Sequence, residues 1–275
     1  MLMTFTKVEE AVYFCKQLQL HKDCYHYVKK QQRRRKFLLQ MTEDISYDHI
    51  VRSLQSVFNQ FRLHQIIHSL VYEIYFYDKY DEIKTIYNYT VERLSDELLM
   101  KKIFSENENF DDIVFNLIKR EVCSKEELSF DTTINILLEE IRPFLINIIG
   151  LAIEEWKSDL RYDYFLHSVK QFINWQPLKT NILHIIQENN FVYFKENGEK
   201  YNEEWLFEEI NNSLIYAVGL SEIEWNLSPI IALAPKFIYI YGNDQLDAKI
   251  LTIKKIFQDR MQFLPIELFP FYKVK

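Results

Sequence analysis

The segment Lys29-Lys-Gln-Gln-Arg-Arg-Arg-Lys36 sets six positive charges (Lys29, Lys30, Arg33, Arg34, Arg35 and Lys36) in a short run without an acid. Such a run suits phosphate, because each cation that meets one releases condensed counterions. Tyr25, Tyr27 and Phe37 are close enough in sequence to stack on bases. The competing reading is a solvated hairpin tip, or one that docks on the protein's own acidic surface. Just upstream, Cys15, His21, Cys24 and His26 offer zinc-capable side chains. Cys24 and His26 would share one strand face, but the spacing fits no standard finger and Cys15 falls on an apolar helix face. A buried thiol with surface imidazoles describes them better. His64 and His68 are spaced to chelate from a helix, yet no HExxH glutamate accompanies them. Acid pairs recur at Glu139-Glu140, Glu154-Glu155, Glu203-Glu204 and Glu208-Glu209. Neighbours in a helix point about 100° apart, so no pair converges on one atom and solvated helix faces account for them. Gly242-Asn243-Asp244 follows a predicted strand, at the end where open α/β sheets take ligands. There Asp244 would repel phosphate and is placed to cap the next helix.

Composition removes more chemistry than it suggests. Only four of 275 residues are glycine (Gly150, Gly198, Gly219 and Gly242), none near another. That excludes the P-loop, the dinucleotide G-x-G-x-x-G, the kinase loop and the G-x-S-x-G elbow. No catalytic residue set, no metal site and no cofactor fingerprint emerges. The net charge is −7, and removing the six charges of residues 29–36 leaves −13 for the remainder, which disfavours a polyanionic partner. Three cysteines without a C-x-x-C suit reduced thiols in a cytoplasmic protein. Glu9 and Glu10 fall where a secretory signal would be apolar. The longest apolar stretch, Phe144 to Ile153, is interrupted by Asn147 and is too short to span a membrane.

The hydrophobic periods place these residues on elements. Thr6 is positioned to cap a helix to about Leu18, with Val8, Ala11, Val12, Cys15 and Leu18 on its inner face. Tyr25–Lys29 and Lys36–Met41 read as strands around the basic tip. From Asp48 the period is helical, with a phase slip near Arg62 that marks a break or bend. Ser105–Asn109 reads as a linker. Asp131 caps a long helical pattern that Pro143 should kink or divide, and that pattern ends before Pro177. Beyond it, Asn181–Gln187 and Phe191–Lys195 form a hairpin, Glu203–Val218 a helix, and Ser228-Pro229 starts a short one. Phe237–Tyr241, a helix and Met261–Leu264 then make a parallel βαβ unit. The expected fold is α+β: an N-terminal mixed segment over 1–45, a helical region over 46–177, and a C-terminal α+β domain over 178–275 with the hairpin and the βαβ unit.

Two stretches of the C-terminal half carry a family pattern. Ala152-Ile-Glu-Glu-Trp-Lys-Ser-Asp-Leu-Arg-Tyr-Asp-Tyr-Phe165, then Phe172-Ile-Asn-Trp-Gln-Pro177 and the hairpin, form the first. Ser228-Pro-Ile-Ile-Ala-Leu-Ala-Pro-Lys-Phe-Ile-Tyr-Ile-Tyr241, followed by Ile253-Lys-Lys-Ile-Phe-Gln-Asp-Arg260, form the second. Over about 130–265 the chain resembles the YtxC-like proteins of endospore-forming Firmicutes. The resemblance implies an uncharacterised sporulation protein and brings no catalytic residues with it. The resulting reading is a cytoplasmic protein that acts through an unidentified protein partner, without catalysis and without a cofactor. Nucleic-acid binding through residues 29–36 is the alternative. A cryptic hydrolase or metal-dependent enzyme is the weaker one.

Overall fold

The computed structural model describes residues 1–20, 31–33, 36–41, 45–103, 109–213 and 226–271. The chain forms two compact units, Met1–Ser158 and Asp159–Lys275.

The first unit is α+β. Its strands are β1 (Leu2–Phe5), β2 (Gln31–Arg33), β3 (Lys36–Gln40) and β4 (Glu127–Ser129), in the order β2-β3-β1-β4. β1 is antiparallel to β3 and parallel to β4. Strands β1 and β4 escape the sequence reading because four and three residues carry almost no periodic signal. The helices are α1 (Val8–Leu20), α2 (Tyr47–Val57), α3 (Leu63–Tyr75), α4 (Tyr80–Leu94), α5 (Glu97–Ile103), α6 (Phe110–Ser124) and the first part of α7 (Phe130–Trp175), whose residues from Asp159 on belong to the second unit. Asn109 and Asp112 form a reciprocal capping box that starts α6. One core joins the sheet to the helices through Met3, Phe5, Phe14, Leu54, Phe58, Val114, Leu128 and Leu145. On α1 the buried side is Glu10, Ala11, Phe14 and Leu18, whereas Val8 and Val12 are exposed. The expected inner face was therefore rotated by a residue or two.

Three capping or breaking expectations need correction. Asp131 does not cap α7 but lies inside its first turn, and Thr6 donates its hydroxyl to Asp131 (2.8 Å). Of the kink or division expected at Pro143, the division does not occur, since α7 runs through it. Pro143 and Glu139 are both exposed, so the carbonyl that the ring leaves without an N–H partner is open to water. At the C-terminal βαβ unit the cap is Asp247, whose carboxylate receives Lys249 N (2.7 Å). Asp244 instead closes a turn onto Leu246 N (2.9 Å).

The second unit holds β5 (Thr180–Ile186), β6 (Val192–Phe194), β7 (Pro235–Gly242) and β8 (Met261–Pro265) in the order β6-β5-β7-β8. The β5–β6 hairpin is antiparallel, and β5, β7 and β8 are parallel, so the expected hairpin and βαβ unit are both present. The helices are α8 (Glu203–Asn212), α9 (Ser228–Leu233) and α10 (Ala248–Phe257). Strand alternation divides the residues cleanly. Leu183, Ile185, Ile238, Ile240 and Tyr193 pack with Val169, Leu206, Ile230 and Ile253 of the helices. Ile186, Tyr241 and their neighbours on the other face pack against the C-terminal segment through Phe269 and Phe271.

Candidate functional site

Strands β1 and β4 run parallel, and each leads directly into a helix, so α1 and α7 begin side by side at one edge of the sheet. Each helix puts an acid in its first turn, Glu10 and Asp131, where the positive end of the helix dipole favours a carboxylate. Between them stands Arg62. It closes a π-helical turn, Phe58–Arg62, in which Leu63 N reaches back five residues to Phe58 O. The extra residue in that turn is the phase slip seen in the sequence. Without it, α2 and α3 would share one phase and Arg62 would face elsewhere.

The geometry is tight. Arg62 Nη2 donates to Glu10 Oε2 (2.8 Å) and Asp131 Oδ1 (2.6 Å), and Arg62 Nε lies 2.6 Å from Glu10 Oε1. The last contact is close but poorly aligned for a hydrogen bond, so it acts as an ion pair. Glu10 is 0% exposed; Lys7 approaches it at 3.8 Å from the surface. The guanidinium carbon is 5.7 Å from the centroid of the Phe130 ring. Burial opposes the charge on Arg62, but the hydrogen bond to Glu10 and the fields of Glu10 and Asp131 outweigh it and raise its pKa. The three charged groups are turned on one another, which makes the centre a clamp joining α1, the π turn and α7.

The second unit offers the other expected position, the carboxyl ends of β5, β7 and β8. There Gln187 fills the space. Its Oε1 receives Asn243 N (3.2 Å) and Asp244 N (3.1 Å), and its Nε2 donates to Asp244 O (2.8 Å). Gly242 has to be glycine, because a Cβ would overlap the Gln187 side chain. One side chain thus satisfies the loop amides that would otherwise meet a ligand. On the sheet face beneath the C-terminal segment, His184 Nδ1 and the Tyr241 hydroxyl share a hydrogen bond (2.9 Å). The imidazole lies 5.2 Å from Phe271, edge to face. Burial lowers the His184 pKa, and only Glu196 acts to raise it. Gly198, at φ +84°, gives Phe271 its seat, since a Cβ there would overlap the ring.

The sequence-selected residues disperse. Arg33 lies in β2 and Lys36 in β3, paired across the hairpin, so part of the basic segment is strand and not tip. Lys29, Lys30, Arg34 and Arg35 fall outside the described residues, as do His21, Cys24 and His26. His64 packs edge-on to Tyr87, with ring centroids 4.7 Å apart, and its ring lies 6.3 Å from that of His68. No group of three or more metal-capable side chains occurs among the described residues. The acid pairs separate into surface ion pairs: Glu140 with Arg120, Glu155 with Arg93, and Glu209 with Lys179. Sequence reasoning missed Glu10, Arg62, His184 and Gln187. For Glu10 the signal was present, an acid in register with Phe14 and Leu18 on the apolar face.

A family model described as the YtxC-like family matches residues 48–262. The chain belongs to the YtxC-like family. The match begins well upstream of residue 130, so the family pattern includes the first unit's helices from α2 onward as well as the C-terminal half. A curated relative from Bacillus subtilis (strain 168), called "Uncharacterized protein YtxC", is 23% identical over 174 residues. The matched part is 58% of this chain and 60% of the relative, so the chain spans less than two thirds of that relative's length. No solved structure matches. The family stretch contains Arg62, Asp131, His184, Gln187 and Gly242. It excludes Glu10, the basic segment 29–36 and the Phe269–Phe271 segment that covers His184. No helix among the described residues is long and apolar enough to cross a membrane.

Proposed function

We propose that this chain is a cytoplasmic, sporulation-associated protein that works by contact with another protein and not by catalysis. The observation that carries this reading is Phe76, between α3 and α4. Its backbone is left-handed (φ 59°, ψ 31°), a conformation that suits glycine or asparagine and costs a bulky residue about 1–2 kcal/mol. Its ring is 83% exposed, so no burial within the chain offsets the strain. Tyr72, one turn before it, and Tyr80, which opens α4, are exposed as well. Strain and solvent-facing aromatic surface at one turn fit a contact made outside the chain. Cys123 is an exposed free thiol, which suits a reducing compartment, and the YtxC-like pattern supports the sporulation role.

The test separates fold from function. Phe76→Asn relieves the strain and should leave the chain as stable as before or about 0.5–1 kcal/mol more stable. In a strain lacking the protein, that variant should fail to restore spore formation where the wild type succeeds. A photo-crosslinking side chain at position 76 should give one discrete adduct. Full restoration by Phe76→Asn together with Tyr80→Ser would overturn the reading. So would turnover of a substrate that a point substitution abolishes.

A further inference from the structure

A groove of about 720 Å³ lies among α1, α2 and α6 of the first unit, within the size range of small-molecule sites. Its lining is almost entirely of side chains able to hydrogen-bond: Gln17 from α1, Arg52, Ser53 and Ser56 from α2, Asn59 from the π turn, and Asn116 from α6. Phe115 is the one apolar side chain among those that line it. Neither the Glu10–Arg62–Asp131 clamp nor the exposed aromatic turn uses this surface.

Ser53 is the informative residue. Its side chain is 1% exposed, and its Oγ has no hydrogen-bond partner among the described residues. A buried hydroxyl in this state has lost water without replacement, and such groups in a folded protein call for an explanation. The groups around it are already oriented. Gln55 Nε2 donates to the backbone carbonyl of Asp111 (2.7 Å), and Asn59 Nδ2 donates to Asp111 Oδ1 (3.2 Å). With the nitrogens held there, the amide oxygens of Gln55 and Asn59 are left as acceptors. Arg52 lies with its guanidinium carbon 5.1 Å from the centroid of Phe115 and makes no ion pair among the described residues, which leaves its N–H groups as donors.

Charge and shape narrow the ligand. Asp111 and Asp112 would repel an anion, and Lys119 is tied to Asp48 (2.8 Å). An apolar ligand would find only Phe115, whose ring Arg52 and Lys119 already approach at 5.1 and 5.6 Å. What matches is a neutral molecule whose neighbouring polar atoms both donate and accept, as vicinal hydroxyls do. We infer that this groove binds a neutral saccharide of one or two rings, with Ser53 Oγ as its innermost contact. Arg52 supplies the donors, and the Gln55 and Asn59 carboxamides supply the acceptors.

The experiment is a titration of the isotope-labelled full chain with glucose, N-acetylglucosamine and maltose, followed by amide chemical shifts. At least one sugar should produce saturable shifts centred on residues 52–59 and 111–116. Ser53→Ala removes only an unpartnered buried hydroxyl, so the variant should fold with an equal or slightly higher melting temperature and bind that sugar about tenfold more weakly. Asn59→Ala, at an exposed position, provides a second variant and should weaken binding similarly. Absence of saturable binding to all three sugars overturns the inference, as does binding that neither substitution alters. A response to an uncharged polar tetrapeptide with none to the sugars would overturn it in favour of a peptide groove.

Discussion

Replacing Arg62 by methionine tests the clamp most directly. Methionine preserves much of the packing against Phe130 and deletes the charge. Two carboxylates then lose a cation that now lies 2.6–2.8 Å from their oxygens. They differ in what remains to them. Asp131 is partly exposed and keeps the Thr6 hydroxyl, whereas Glu10 is fully buried and keeps only Lys7 at 3.8 Å. At an effective dielectric near 20, each pair of charges about 4 Å apart attracts by about 4 kcal/mol, which desolvation of the three groups partly cancels. Removing one member of a buried pair leaves the desolvation cost with nothing to oppose it. Arg62→Met should therefore lower unfolding stability by about 3–5 kcal/mol at neutral pH, measured by urea denaturation followed by circular dichroism. Glu10→Leu combined with Arg62→Met should recover most of that loss, ending within about 1–2 kcal/mol of the wild type, because no fully buried charge is left uncompensated and Asp131 is partly solvated. A loss below about 1 kcal/mol for Arg62→Met, or strictly additive losses in the double variant, would refute the account of a buried, mutually dependent centre.

The remaining predictions concern the second unit and the basic segment. His184 has a lowered pKa, so the fold holds it neutral and binds fewer protons than the unfolded chain just below pH 6.5. Its contribution is complete above that value and lost as pH falls through the folded pKa, and His184→Phe should flatten this acid limb in a pH series of melting temperatures. Gly242→Ala should destabilise by about 1–3 kcal/mol by displacing Gln187 from the loop amides, and Gln187→Ala in the same chain should add little further loss because the two act through one contact. Ile240, 0% exposed on a strand paired on both sides, should not tolerate aspartate. An unpaired buried charge costs several kcal/mol, and a folded variant with an unchanged melting curve would show that β7 is not central. Residues 29–36 should show no salt-sensitive binding to single- or double-stranded probes at low ionic strength. A log–log salt slope of about −3 to −5, cut by about two to three when Arg33, Arg34 and Arg35 all become serine, would reverse that expectation.

Local chemistry fixed much of this protein in advance. The hairpin and the βαβ unit follow from runs of β-branched and aromatic residues bounded by turn residues, and such signals need no distant partner. The scarcity of glycine excluded whole classes of phosphate loop before any coordinate was known. The phase slip at Arg62 was equally legible, because inserting one residue shifts the helical period wherever the helix lies. Other features depend on which surfaces meet. β1 and β4 are too short to announce themselves, and they exist as strands because each pairs with a partner far away in sequence. Asp131 has the sequence of a helix cap, yet tertiary contact turns it to Thr6 and Arg62. Gln187 reads only as the end of a strand until β7 arrives beside it with two loop amides and a glycine. Glu10, Arg62 and Asp131 are separated by 52 and 69 residues along the chain, and none is unusual where it stands. A charge inside a protein takes its meaning from the charges opposite it, and those are set by the packing of α1, the π turn and α7, which no single segment encodes.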